Sequence, residues 1–192
     1  NGAANPRTTG ILYASEILER YGAAYGAAVQ QFPVPAFFDD PETKAALWRE
    51  RSIARVVAMQ RTLDIAVFGL GSPFAGVPSQ VYIGGYLDDD DFTSLSAAGV
   101  VGDVATVFYR EDGSDDGVAL NARSSGPGIA VLRGVARRVC VVSGVSKLQS
   151  LKGALAAGIV TDLIVDSGTA RRLVDETLAS HAGDEDDGGR SS

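Results

Sequence analysis

The sequence predicts a single α/β domain, a three-layer αβα arrangement with a Rossmann-like, mainly parallel sheet between helices. Three observations predict it. Short apolar runs, "IAVF", "VCVV" and "LIV", each end in small-residue turns, and continuous apolar runs mark strands buried on both faces. Helical stretches follow two of these runs, and strand, loop, helix, strand is the pattern of right-handed βαβ units. The length of 192 residues suits one domain with a sizeable core.

Taken in order, Ser15 to Ala28 reads as an Ala- and Leu-rich helix, and "QFPVPAF" after it is forced into extended backbone by two prolines. A strong helix then starts at "DDPETKAALW". Asp40 is placed to cap it, Pro41 suits its first position, and Leu47, Ile53, Ala54 and Val57 form one apolar face that should pack on a sheet. Strands are expected at Ile65–Phe68, Val104–Tyr109, Val139–Val142 and Leu163–Val165, with a helix from Phe92 and others at Lys147–Ala157 and Thr169–Leu178. Asp88 to Asp91 lack the spaced alternation of a calcium loop and read as a solvated cap of the helix that follows. Residues 183–192, "GDEDDGGRSS", have nothing to bury and are expected as a mobile acidic tail after a domain spanning residues 1–182.

Composition removes several kinds of chemistry. No apolar run approaches the ~20 residues of a membrane span, and no secretory signal opens the chain, so a cytoplasmic setting without membrane contact is expected. A formal net charge of -7 argues against this segment gripping a nucleic-acid backbone, which takes clustered Lys and Arg. The single cysteine, Cys140, excludes an internal disulfide and a thiolate cluster, and reads as a buried thiol. The single histidine, His181, removes histidine triads and multi-histidine metal sites. Neither a metal nor a cofactor is expected. The opening, "NGAANPRTTG", has no Met and reads as part of something longer.

Ligands of parallel sheets collect beyond the carboxyl ends of strands, where loops meet helix starts. "GLGSP", "SGVSK" and "DSGTA" fall there, with the loop carrying Asp103 if the strand order permits. Small residues let backbone N–H groups approach an anion. Lys147 sits at a helix start, where a cation is mildly unfavourable unless an anion lies opposite; it reads either as that countercharge or as a surface lysine. In "GLGSPFAG", Phe74 stands where a dinucleotide fingerprint needs its third glycine, and no Walker-type phosphate loop occurs.

Several separated motifs together resemble the effector domain of SorC-type bacterial transcriptional regulators, often grouped with DeoR-type proteins. They are "NGAANPRTT", "LDIAVFGLGSP", "AAGVVGDVATVFYREDG", "ALNARSSGPGIAVLRGVARRVCVVSG" and "SGVSKLQSLKGALAAGIVTDLIVDSGTARRLV", and they run over nearly all of Asn1 to Val174. The resemblance implies a fold like the sugar-phosphate isomerase and glucosamine-phosphate deaminase group, a phosphorylated sugar as effector, a helix-turn-helix DNA-binding domain ahead of Asn1, and a homodimer or homotetramer. It also implies site residues. Gly2 opens the site; Arg7, Thr8 and Thr9 would hold phosphate with the backbone around Gly69, Gly71 and Ser72; Asp103 would accept from sugar hydroxyls; Arg123 and Lys147 would meet the charged end.

Each of these has a plainer alternative in the residues themselves: Arg123 pairing with a surface carboxylate, Asp103 capping a turn, Thr8 and Thr9 capping the first helix. Two positions depart from the family pattern, Ser143 in the usual Gly-Gly before the lysine and Ala3–Ala4 after the opening Asn-Gly. The leading functional reading is a ligand-sensing module that shifts a conformational or oligomeric equilibrium and so controls DNA binding. The alternatives are a sugar-phosphate isomerase or deaminase using Asp103 or Asp166 as general base, and a nucleotide-binding enzyme.

Overall fold

The computed structural model describes Gly2, residues 11–75 and residues 79–187; the side chains of residues 11–14 and 180–187 lie outside that description, as do Arg7, Thr8 and Thr9. At its centre is a parallel three-stranded sheet, β1 (Ile65–Phe68), β4 (Arg137–Val142) and β5 (Asp162–Val165), in the order β1-β4-β5. Register runs from Ile65 opposite Arg137 to Phe68 opposite Cys140, and from Val139 opposite Asp162 to Val142 opposite Val165. β4 crosses to β5 through α8 (Leu148–Ala156), the expected βαβ unit, and α9 (Ser167–Asp187) follows β5. The mixed α/β class with a parallel sheet flanked by helices is thus as the sequence predicts.

Alternation along the strands decides where the core sits. Cys140, Val142, Leu151, Ala154, Ala157 and Ile159 are buried together, with Phe68, Leu163 and Val165 packed against them. On the opposite face Ile65, Val67, Val141 and Ile164 are 46–61% exposed. The expectation of strands buried on both faces therefore holds for one face only, because α8 covers one side and no described element covers the other to the same degree.

Two further expectations are corrected. The stretch Val104–Tyr109 is not a parallel strand but an antiparallel hairpin, β2 (Gly102–Val104) and β3 (Val107–Tyr109), pairing Val104 with Val107. Its two-residue turn, Ala105 and Thr106, has positive φ at both positions (47° and 71°), the geometry that matches the twist of a tight hairpin. The long helix predicted after Asp40 is two helices, α2 (Pro41–Leu47) and α3 (Arg51–Gln60). Asp40 does cap the first, its Oδ2 accepting from Thr43 N at 2.7 Å, with Pro41 at the first position. The break follows from Glu50, which adopts extended backbone, and from Trp48, whose ring packs edge-on against Phe32 and Phe38. Ile53 is buried with Val34 and Phe38 in a satellite cluster, joined by Leu47, Trp48 and Val57, so this face meets the proline-stiffened segment rather than the sheet.

The acidic run behaves as a cap. α5 (Asp89–Ala97) carries a reciprocal capping box between Asp88 and Asp91. The remaining helices are α1 (Ile11–Tyr25) near the N-terminus, the single turn α4 (Gln80–Ile83) between β1 and α5, and α6 (Ala119–Arg123) and α7 (Ile129–Arg133), which lead into β4. α9 continues to Asp187, so helix runs five residues into the segment expected as a tail.

Candidate functional site

The β1 exit, strand β2 and the turn ahead of α8 converge at the carboxyl ends of β1 and β4. The first is the β1 exit, Gly69 to Ser72. Its Gly71 pairs with Asp103 as an isolated antiparallel bridge, Gly71 N donating to Asp103 O at 2.9 Å and Asp103 N to Gly71 O at 3.2 Å. This close approach requires the glycine: a Cβ at Gly71 would overlap Asp103 Oδ1 and reach 2.8 Å from Ser79 Oγ. Gly102 is tight for the same reason, lying against Ser150 and the Gly71 carbonyl. Ser150 Oγ donates to Gly71 O at 2.7 Å and shares a 2.8 Å bond with Tyr109 Oη, which fixes the loop to α8.

The second contribution is Asp103, in β2. It is 3% exposed, and burial pushes its carboxyl up to about 6 from 3.8, against the pull of Tyr82, the Thr106 amide and Lys147. Its Oδ1 has no partner at hydrogen-bonding geometry among the described residues, and neither do Ser79 Oγ or Tyr82 Oη. Tyr82 and Asp103 nonetheless lie close enough for the carboxylate to raise the phenol, whose ionisation is disfavoured chiefly by burial.

The third is the 3-10 turn Val145–Lys147 at the start of α8. Lys147 Nζ donates to the Leu70 carbonyl at 2.9 Å and lowers the Asp103 carboxyl through its charge. That answers why a lysine stands at a helix start here. Its ammonium is carried across to the β1 exit, where a carbonyl and a carboxylate compensate it. The same charge opposes burial at Cys140, whose thiol is nevertheless pushed up to about 11 by desolvation; the cysteine is a buried thiol, as expected.

The other residues singled out from sequence divide. Ser72 is fully buried in the same loop, its hydroxyl accepting from Phe74 N at 3.2 Å, and Gly69 is open to solvent. Gly2 N donates to Ser125 Oγ at 2.8 Å, and a Cβ there would collide with the Val34 and Pro35 carbonyls, so this glycine serves close packing against the extended segment.

Arg123 does not join Lys147. Its Nε donates to Phe38 O at 2.7 Å and its Nη1 pairs with Asp91 at 2.7 Å. It opens onto a cleft of about 390 Å³ that also holds Asp39, Asp88 and Asp89. Four carboxylates against one guanidinium make a poor home for a phosphate, so the expected convergence of Arg123 and Lys147 is corrected. Arg123 ties α6 to the capping box of α5.

Asp166 is the opposite of Asp103. Its Oδ1 accepts from Gly168 N (2.9 Å) and Thr169 N (3.0 Å), and its Oδ2 from Thr169 Oγ1 (2.6 Å) and Gly144 N (3.0 Å). These bonds, led by Thr169 and joined by Ser143, hold the carboxyl well below the usual range. The serine that replaces a family glycine is thereby used. Asp166 is a helix cap and a poor base; of the two aspartates weighed as bases, only Asp103 has a raised value. The described residues contain no group of three or more His, Cys, Asp or Glu suited to a metal, and no helix long and apolar enough to cross a membrane.

Over residues 1–175 the chain matches the Sugar-bind family model, a sugar-binding domain. The chain belongs to this family. Its relatives and structural neighbours are DeoR- and SorC-type transcriptional regulators. It is 28% identical over 164 residues to the deoxyribonucleoside regulator of Bacillus subtilis, covering 85% of this chain and 51% of that protein. A domain of a possible sugar-binding transcriptional regulator from Arthrobacter aurescens TC1 superposes with a TM-score of 0.84 at 59% identity, over 91% of this chain and 66% of that one. The full-length sorbitol operon regulator SorC of Klebsiella pneumoniae shares the fold, with a TM-score of 0.73 at 23% identity over 80% of this chain and half of that one. This Sugar-bind chain therefore spans about half the length of the curated relatives it matches.

Sequence reasoning missed Ser79, Tyr82 and Ser150. Only the first two carried any signal, a serine ahead of a helical turn and a tyrosine three residues on. Neither can be separated by pattern from an ordinary cap and an ordinary core aromatic.

Proposed function

We propose that this chain is the effector-sensing part of a transcriptional regulator and takes a phosphorylated sugar at the rim formed by Gly69–Ser72, Asp103 and Lys147. The observation that carries the reading is the pairing of a buried carboxylate oxygen lacking a partner of normal geometry among the described residues with an ammonium held on the Leu70 carbonyl, near enough for its charge to act on that carboxylate. A carboxylate accepts from sugar hydroxyls, and the lysine with the exposed backbone of Gly69 suits the anionic end, while Gly71 shapes the loop through its bridge to Asp103. The family resemblance assigns Arg7, Thr8 and Thr9, which lie outside the described residues, to the phosphate as well. The relatives named for regulation of deoxyribonucleoside and sorbitol genes support a carbohydrate-derived effector. DNA is contacted through a helix-turn-helix domain outside this sequence, in a cytoplasmic homodimer or homotetramer, and the effector shifts conformational or oligomeric state by binding one state more tightly.

A panel of sugar phosphates in a thermal-shift assay, run beside turnover measurements, tests this. Stabilisation without conversion is the expected result. The raised Asp103 carboxyl would also suit a general base, so conversion at enzyme-like rates would replace sensing with an isomerase or deaminase.

A further inference from the structure

Beside the Gly71–Asp103 bridge, three side chains forgo hydrogen bonds that a folded chain ordinarily makes. Ser79 is the N-cap residue of α4, yet its hydroxyl makes no capping bond, although serine at that position normally accepts from the first turn. Tyr82, one turn on, is tied to it by Tyr82 N donating to Ser79 O at 2.9 Å. Its ring is wedged against Phe92 and Phe108, with both centroids at 6.4 Å, so the phenol is aimed rather than free to turn away. Ser79 Oγ, Tyr82 Oη and Asp103 Oδ1 are all buried, and none makes a hydrogen bond of normal geometry among the described residues; the Tyr82 phenol and the Asp103 carboxylate are near enough only to shift each other's ionisation. Buried polar atoms left in this state cost stability, and such costs concentrate where a ligand supplies the missing bonds.

The chemistry of the three groups selects what fills them. The carboxylate only accepts; serine and tyrosine hydroxyls both donate and accept; none carries positive charge. The cluster therefore repels a phosphate and suits neutral hydroxyls.

From this geometry we infer that Ser79 and Tyr82 are effector-reading residues, which with Asp103 bind two neighbouring hydroxyls of the sugar or polyol chain at the end away from its phosphate. This rests on the effector reading above and adds its polarity, with the anion toward Lys147 and Gly69 and the hydroxylated carbons toward α4. An effector lacking the hydroxyls on those carbons loses its partners and is discriminated against, because the site's polar atoms are then left buried and unpaired.

The test uses ribose 5-phosphate, 2-deoxyribose 5-phosphate, erythritol 4-phosphate and sorbitol 6-phosphate, the tightest of which for the wild-type chain serves as probe in calorimetric titrations. Ser79→Ala and Tyr82→Phe should each weaken it about tenfold while leaving the ligand-free melting temperature unchanged or raised, since each removes an unpaired polar atom. A merely structural role would lower the melting temperature in both variants, and that result overturns the inference. So does unchanged affinity. Lys147→Met separates the two levels: if it loses binding while both α4 variants keep theirs, only this inference falls. If it too is unaffected, or no compound in the panel binds, the effector reading falls with it.

Discussion

Two aspartates, Asp166 just after β5 of the parallel sheet and Asp103 in β2 of the hairpin, have opposite fates. Asp166 receives four hydrogen bonds from Gly144, Gly168 and Thr169, whereas Asp103 is more deeply buried and leaves an oxygen without a partner among the described residues. One carboxyl is held well below its ordinary value and the other is pushed up to about 6. Saturation of a carboxylate builds structure, and deprivation stores binding capacity. The difference is set by neighbours rather than residue type, since both are short acidic side chains beside glycine-rich turns.

Lys147→Met should weaken the best sugar phosphate most, on the order of a hundredfold for loss of a charged contact in a partly buried site, as read by calorimetric titration. Asp103→Asn should follow in size but with the opposite sign for the empty chain. Asp103 is charged at neutral pH against a raised folded value, so the folded state binds more protons than the unfolded one between pH 3.8 and about 6. Stability contributed by this group therefore falls as pH rises through that window, by up to roughly 3 kcal/mol. Asparagine should flatten the decline and raise the melting temperature at pH 7; a lower one would show the carboxylate to be structural. Effector affinity of the wild-type chain should climb as pH passes about 6, because the accepting form is then populated.

Smaller effects follow at the saturated end. Asp166→Ala should lower the melting temperature and leave effector affinity intact. Its depressed value makes its contribution present above the ordinary carboxylate range and lost only as pH falls below it. Thermal melts between pH 3 and 7 read this directly, and a variant whose melting temperature matches the wild type throughout would contradict the capping role. Arg123→Ala should cost stability, about 1–3 kcal/mol in urea unfolding, since it strands Asp91 and the Phe38 carbonyl. Its effector affinity should be close to the wild type, and a tenfold loss would restore Arg123 to the site.

Much of this was legible in the chain. Asp40 and Pro41, the Asp88–Asp91 cap and the three parallel strands announce themselves because capping and burial are local or periodic signals. The hairpin at Ala105–Thr106 was not legible, because a tight turn there ordinarily uses Asn-Gly and this one forces positive φ on Ala and Thr. Nor was the exposed face of Ile65, Val67, Val141 and Ile164, since an apolar run says what could be covered and not what covers it. For the site, the Gly69–Ser72 turn, the Asp103 loop and Lys147 were legible from their places beyond strand ends and at a helix start, and the family resemblance added their roles. Whether a given arginine joins them depends on which helix presents it, and Arg123 on α6 is presented to α5 instead.

The most direct test is a calorimetric titration of the tightest-binding sugar phosphate against the wild-type chain and Lys147→Met at pH 7.5. Measurable one-site binding is expected, weakened by about a hundredfold in the substituted protein, whose empty chain melts at a lower temperature for loss of the Leu70 bond but is folded at the temperature of the titration. Equal affinity in the two proteins would contradict this.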